Sequence, residues 1–127
     1  MKTTVSSLRL EDIIGNYELD IQNVMLKLDA ICKKETNSVA KIYGRDMIGY
    51  GEITYSNTYL KDQPWFKIGF RVSKTGITLY LNAYNEALYH LAEKLNIKHG
   101  KGCYYMNKKD FDNMTLIQQL ISISLQS

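Results

Sequence analysis

Between residues 45 and 82 the chain carries three short runs, RDMIGYGEITY, PWFKIGF and KTGITLYL, rich in aromatic and β-branched residues and separated by polar and glycine punctuation. Within them Ile53 and Tyr55, then Phe66, Ile68, Phe70 and Val72, then Ile77, Leu79 and Leu81 alternate with polar or glycine residues. A period of two is the pattern of strands with one covered face. The short polar connections Ser56 to Pro64 and Ser73 to Gly76 favour antiparallel neighbours, because parallel pairing needs a crossover of a dozen or more residues. Lys74-Thr75-Gly76 reads as a hairpin turn.

On either side the period changes to that of helices. A short pattern from Leu8 to Ile14 is closed by Gly15-Asn16, both residues that tolerate a left-handed helix end. A longer helix is predicted from Glu18 to Lys34, with Leu19, Ile21, Val24, Met25, Leu28 and Ile31 toward the core and Lys33-Lys34 at the negative end of its dipole. Asn85 to Leu95 gives an amphipathic helix through Leu88, Leu91, Ala92 and Leu95. Cys103 to Met106 is a last short strand. Asp110 or Asp112 is placed to cap a final helix whose Leu116, Ile117, Leu120, Ile121 and Ser124 form one stripe. The expected fold class is α+β, a two-layer structure with an antiparallel β-sheet and the N- and C-terminal helices packed on one face.

At 127 residues, with 45% apolar residues and one proline, the sequence suits one globular domain spanning 1–127 and excludes a disordered or repetitive chain. The N-terminus lacks a leader-like apolar run, and no stretch approaches the ~20 apolar residues of a membrane span. Cys32 and Cys103 form no C-x-x-C pair and are expected as reduced thiols. A soluble cytoplasmic protein without a membrane partner follows. The net charge of +3 is uneven, with Glu11, Asp12, Glu18, Asp20 and Asp29 early and Lys94, Lys98, Lys101, Lys108 and Lys109 late. That asymmetry either steers an anion to one edge or simply solvates helix faces and a loop.

The pair Gly49 and Gly51 around Tyr50 invites a phosphate-loop reading, which fails on context, because such a loop needs a strand before it and a helix after it. A bend or bulge where Tyr50 packs is the alternative. The loop Asn96 to Gly102, NIKHGKG, has the glycines and cationic side chains of an anion nest, or is a plain tight turn. Cys32, His90, His99 and Cys103 lack zinc-site spacing, so no metal or cofactor is expected. Ten tyrosines and one tryptophan can line a pocket or pack a core; the pocket candidates are Tyr50, Tyr55, Trp65, Tyr80 and Tyr104 with Lys74 and Lys101 as anchors. The mild charge argues against a nucleic-acid partner. There is no G-x-S-x-G elbow and no histidine with an identifiable nucleophile, so no catalytic residues are assigned; only a convergence of Cys103 with His99 and Lys101 would activate a thiol.

Tyr43-Gly44, Met47-Ile48-Gly49-Tyr50-Gly51, Pro64-Trp65-Phe66, Gly69-Phe70, Lys74, Leu79-Tyr80-Leu81 and His99-Gly100-Lys101-Gly102-Cys103 follow one another in the order and spacing of a known pattern. In these residues the chain resembles the YdhG-like family of small, functionally uncharacterised bacterial domains, from about Val39 to Tyr105 and through the final helix. The sequence departs from that pattern at Gly102, where the family carries a hydroxyl, and at His99, where it carries a small polar residue. The resemblance implies a frataxin-like fold, and one branch of the family is linked to iron delivery. An intracellular iron chaperone using Glu11, Asp12, Glu18 and Asp20 is therefore the alternative expectation. The leading one is a non-enzymatic domain binding a small ligand or anion, with Tyr55 and Trp65 as aromatic walls and Lys74 and Lys101 as charge anchors.

Overall fold

The computed structural model describes residues 5–55 and 63–126. Six strands, β1 (Lys41–Tyr43), β2 (Met47–Tyr55), β3 (Gln63–Ser73), β4 (Gly76–Tyr80), β5 (Lys98–His99) and β6 (Cys103–Met106), form one sheet in the order β1-β2-β3-β4-β6-β5. Every neighbouring pair is antiparallel. Four helices accompany it: α1 (Leu10–Ile13), α2 (Leu19–Thr36), α3 (Glu86–Lys94) and α4 (Met114–Leu125).

Register fixes which side chains share a face. Ile42, Ile48, Phe70, Leu79 and Tyr104 are direct partners across five strands, and all are buried. Directly paired residues point the same way, so this row, with Tyr50, Ile68 and Met106, is the covered face. There α2 packs on β2 and β3, α4 on β3 and on α2, and α3 on α4 and β5. The structure is thus two layers, with helices on one face of the sheet. Ile68, Phe70, Leu79 and Leu81 are buried as the alternation predicts.

Several expectations need correction. Two strands, β1 and β5, are too short for an alternation to show, and β2 begins at Met47, so Gly49 and Gly51 lie inside a strand. The first helix ends in a 3-10 turn over Ile14–Asn16, and neither Gly15 nor Asn16 is left-handed; the left-handed cap belongs to Asn37, after α2. Leu19 opens α2 in solvent, while Asp29 and Cys32 take buried positions on its inner face. The cap of α4 is Asn113, whose side chain accepts from the Leu116 N–H; Asp110 instead lies inside a 3-10 turn over Lys108–Asp112, where its carboxylate accepts from the N–H of the capping residue Asn107. The Ser56 to Pro64 connection falls mostly outside the described residues.

Beyond β1 the N-terminal segment continues the sheet. Val5 bridges to Tyr43, and the Ser6 N–H donates to the Ile42 carbonyl at 2.8 Å, which occupies part of an otherwise open strand edge.

Candidate functional site

The four residues singled out as a ligand site are dispersed. Trp65 sits on β3, stacked on Phe66 at 4.4 Å and edge-on to Tyr43 at 6.0 Å. Lys74 is exposed in the turn beyond Ser73, at the other end of the same strand, ~30 Å away at the rise of an extended chain. Lys101 lies in the turn between β5 and β6, its ammonium 4.8 Å above the Tyr84 ring, and β4 separates that turn from the Lys74 hairpin. Tyr55 pairs with Gln63 at the far end of β2, and its side chain lies outside the described residues. These four do not line one pocket. Of the other aromatic candidates, Tyr50 and Tyr104 are core residues and Tyr80 is half-buried on the helix-free face.

Of the Asn96 to Gly102 stretch, Lys98–His99 is strand β5, and Gly100 to Gly102 form the tight turn into β6. The Gly100 N–H donates to the Cys103 carbonyl at 2.9 Å, Gly102 adopts φ 80°, and its carbonyl accepts from the Leu81 N–H at 2.8 Å. A nest needs free backbone donors, and here the Gly100 donor is engaged in the hairpin.

On the helix-free face Tyr43, Trp65, Phe66 and Tyr80 gather over glycines. A Cβ at Gly49 would stand 2.5 Å from the Phe66 ring, and one at Gly69 would meet both the Ile48 carbonyl and that ring. Sequence neighbours on a regular strand point to opposite faces, yet Trp65 and Phe66 stack on the same one. The alternation slips beside Gly51, which takes φ 77°. The glycine pair thus makes room for a ring and turns a strand; it cradles no phosphate. A groove of about 320 Å³ beside it is bordered by Lys41 and Glu52, which pair with each other and leave no charge unanswered.

A second cleft, of about 390 Å³, opens at the hairpin end of the sheet. Its wall includes Ser73 and Thr75 of the β3–β4 hairpin, Thr78 of β4, Tyr105 of β6, Lys98 of β5 and Asn107. Each has a local reason to be there. The Ser73 hydroxyl donates to the Gly76 carbonyl at 3.2 Å and tightens the hairpin. Asn96, left-handed at φ 58°, swings the chain from α3 into β5, where Lys98 pairs with Tyr105. Tyr105 in turn pairs with Thr78, so Thr78, Tyr105 and Lys98 stand in one row on the helix-free face. The Asn107 N–H donates to Asp110 Oδ2 at 2.8 Å, which starts the following 3-10 turn. Lys98 forms no ion pair among the described residues, whereas Arg71 in the same row is held by Asp46 at 2.9 Å. The wall combines hydroxyls, amides, an exposed aromatic ring and an available ammonium, and holds no cysteine or histidine nucleophile–base pair. Such a constellation binds and orients. Alternation could have found it: Tyr105 lies between Tyr104 and Met106, and Thr78 between Ile77 and Leu79, so both must face away from the core.

The acidic residues of the N-terminal third do not converge. Asp20 pairs with Lys108, Glu11 with Arg9 at 3.6 Å, and Asp12 accepts from the Arg9 N–H at 2.8 Å. Lys108 holds the Asp20 carboxyl below the usual carboxylate range. Among the described residues no group of three or more His, Cys, Asp or Glu side chains is placed to hold a metal ion. His99 stacks on Tyr89 and Tyr104 on the helix side, at 5.1 and 5.6 Å, while Cys103 pairs with Tyr80 on the other face. The convergence that would activate the Cys103 thiol is absent. Cys32 and Cys103 are both free, and no helix of the described residues is long and apolar enough to cross a membrane.

No family model, no curated protein and no solved structure matches the chain.

Proposed function

We propose that the protein is a non-enzymatic binding domain that takes a small anionic ligand in the cleft at the hairpin end of its sheet. The observation that carries this is Lys98, a cation with no ion-pair partner among the described residues, set beside Tyr105 and a rim of hydroxyl and amide groups in a concave site. Its volume lies within the ~300–1,000 Å³ typical of small-molecule sites. Lys74 stands in the hairpin between the lining residues Ser73 and Thr75, where its exposed charge would reinforce that of Lys98. Lys98 takes the place of Lys101. Two free thiols suit the reducing cytoplasm.

Titration of isotope-labelled protein with inorganic phosphate tests the reading. Amide resonances of Thr78, Lys98 and Tyr105 should move, and Lys98→Ala should weaken binding severalfold without unfolding the chain, since the side chain is exposed. Binding should also decline with added salt, because part of it is screened attraction. Resonances that stay still at the cleft, or that move only around Lys101, defeat the assignment.

A further inference from the structure

Resting on that reading of the cleft, we infer that its ligand is a mononucleotide, with the base stacked on Tyr105 and the phosphate held at Lys98. Thr78, Tyr105 and Lys98 are direct partners on three adjacent strands, so their side chains follow one another at the ~4.8 Å interstrand spacing. Tyr105 is 53% exposed although its neighbours Tyr104 and Met106 are buried. A large ring left half in water on a strand, beside a cleft, presents a flat apolar surface to a flat ligand, and stacking of this kind accepts any base. The Lys98 ammonium, one strand away from the ring, attracts phosphate as a point charge. Ser73, Thr75 and Asn107 supply the mixed donors and acceptors that ribose hydroxyls and a base edge require.

The same wall limits the size and charge of the ligand. Asp110 also lines the cleft, held by the Asn107 N–H at 2.8 Å, and its carboxylate disfavours a second or third phosphate. Along the rest of the face Arg71 pairs with Asp46 and Lys41 with Glu52, so among the described residues these two cations are already engaged and do not extend the cleft into a basic track for a nucleic-acid strand.

Adenosine monophosphate, ribose 5-phosphate, inorganic phosphate and a short oligoadenylate, each titrated into the full chain and followed by amide shifts, separate the possibilities. The mononucleotide should bind roughly ten- to a hundredfold more tightly than ribose 5-phosphate, the margin expected of one stacked base. Tyr105→Ala should erase that margin and Tyr105→Phe should keep it, while Lys98→Ala weakens both phosphates. If adenosine monophosphate binds no better than ribose 5-phosphate, or the margin survives Tyr105→Ala, the nucleotide is wrong and the anion site stands. If no phosphate compound moves the cleft resonances, both inferences fall. An oligoadenylate that binds far more tightly than the monomer through the same residues overturns the mononucleotide in favour of a strand.

Discussion

The Tyr50 hydroxyl donates a 2.6 Å hydrogen bond to Asp29 Oδ1, joining the middle of β2 to the inner face of α2. Both partners are buried, and the second carboxylate oxygen of Asp29 meets the Lys33 ammonium at 3.2 Å. A carboxylate in a core is costly unless its lone pairs are answered. Here a phenol answers from the sheet and an ammonium from the next turn of the helix, so the polar pair fixes how α2 is rotated over β2. Tyr50 also stacks near Phe70, with ring centroids 6.3 Å apart, and so belongs to the apolar packing as well.

Removing only the hydroxyl isolates that bond. Tyr50→Phe keeps the ring in its place and leaves Asp29 short of a donor, which should cost about 1.5–3 kcal/mol, the range for hydrogen bonds to charged groups. Urea denaturation should show a lower midpoint with an unchanged slope. A variant as stable as the parent would mean that water serves Asp29 equally well.

Alkaline pH should unfold the protein through Tyr50 and Cys32. Burial, reinforced by the Asp29 bond, pushes the Tyr50 phenol far up, and burial with the nearby Asp29 and Glu35 carboxylates does the same to the Cys32 thiol. In the unfolded chain a thiol ionises near ~8.5 and a phenol near ~10, so the unfolded state loses protons that the folded state keeps. Stability is therefore intact below about pH 8.5 and declines as pH rises toward the raised folded values, at up to ~1.4 kcal/mol per pH unit for each group. Denaturation midpoints measured from pH 7 to 11 should fall steeply above 9, and less steeply in Tyr50→Phe.

The helices and the central strands are legible because their apolar residues repeat over enough positions to show a period. In β3 the repeat of Ile68, Phe70 and Val72 matches the face that packs on the helices, and so does that of Ile117, Leu120 and Ile121 in α4, whereas Phe66, read as part of the same alternation, turns to the helix-free face where the strand slips beside Gly51. β1 and β5, with three and two residues, are too short to have a period, and only partners distant in sequence define them. The site was less legible for a related reason. Trp65 and Lys74 are near in sequence, but an extended strand places them at its two ends, whereas Thr78, Tyr105 and Lys98 come together through registers that the sequence does not spell out.

Gly49→Ala should be strongly destabilising although the residue lies in a strand, where alanine is ordinarily tolerated. The new methyl would stand 2.5 Å from the Phe66 ring, and that ring is confined by Trp65 at 4.4 Å and Tyr43 at 5.0 Å. Overpacking of this sort costs about 1–3 kcal/mol. The double variant Gly49→Ala with Phe66→Leu should recover part of the loss, and thermal denaturation of the parent, the two single variants and the double shows whether it does. Additive losses would mean that the glycine serves the backbone and not the ring.

Tyr104 is the one core tyrosine whose hydroxyl has no hydrogen-bond partner among the described residues. Burial, with a smaller contribution from Tyr89, pushes its phenol up to about 12. An unanswered buried hydroxyl costs about 1–3 kcal/mol, so Tyr104→Phe should be neutral or stabilising, the reverse of the Tyr50 result. The two substitutions are chemically identical, and their opposite signs in one chemical-denaturation series would show that partners, not burial, decide the outcome. A clear loss of stability in Tyr104→Phe would reveal a partner for that oxygen.

Ferrous iron provides the last test, because it separates the binding-domain reading from the iron-chaperone alternative. Asp20 is held by Lys108, Glu11 by Arg9, and Asp12 by the Arg9 backbone, so each would have to give up a partner before it could turn toward a metal. Hard and borderline cations bind carboxylates tightly only where several converge. Calorimetric titration under reducing conditions should therefore find no submicromolar site, and replacing Asp12, Glu18 and Asp20 together by their amides should change the heats little. Tight binding lost in that triple variant would establish the acidic helices as the functional surface and make the cleft beside Lys98 incidental.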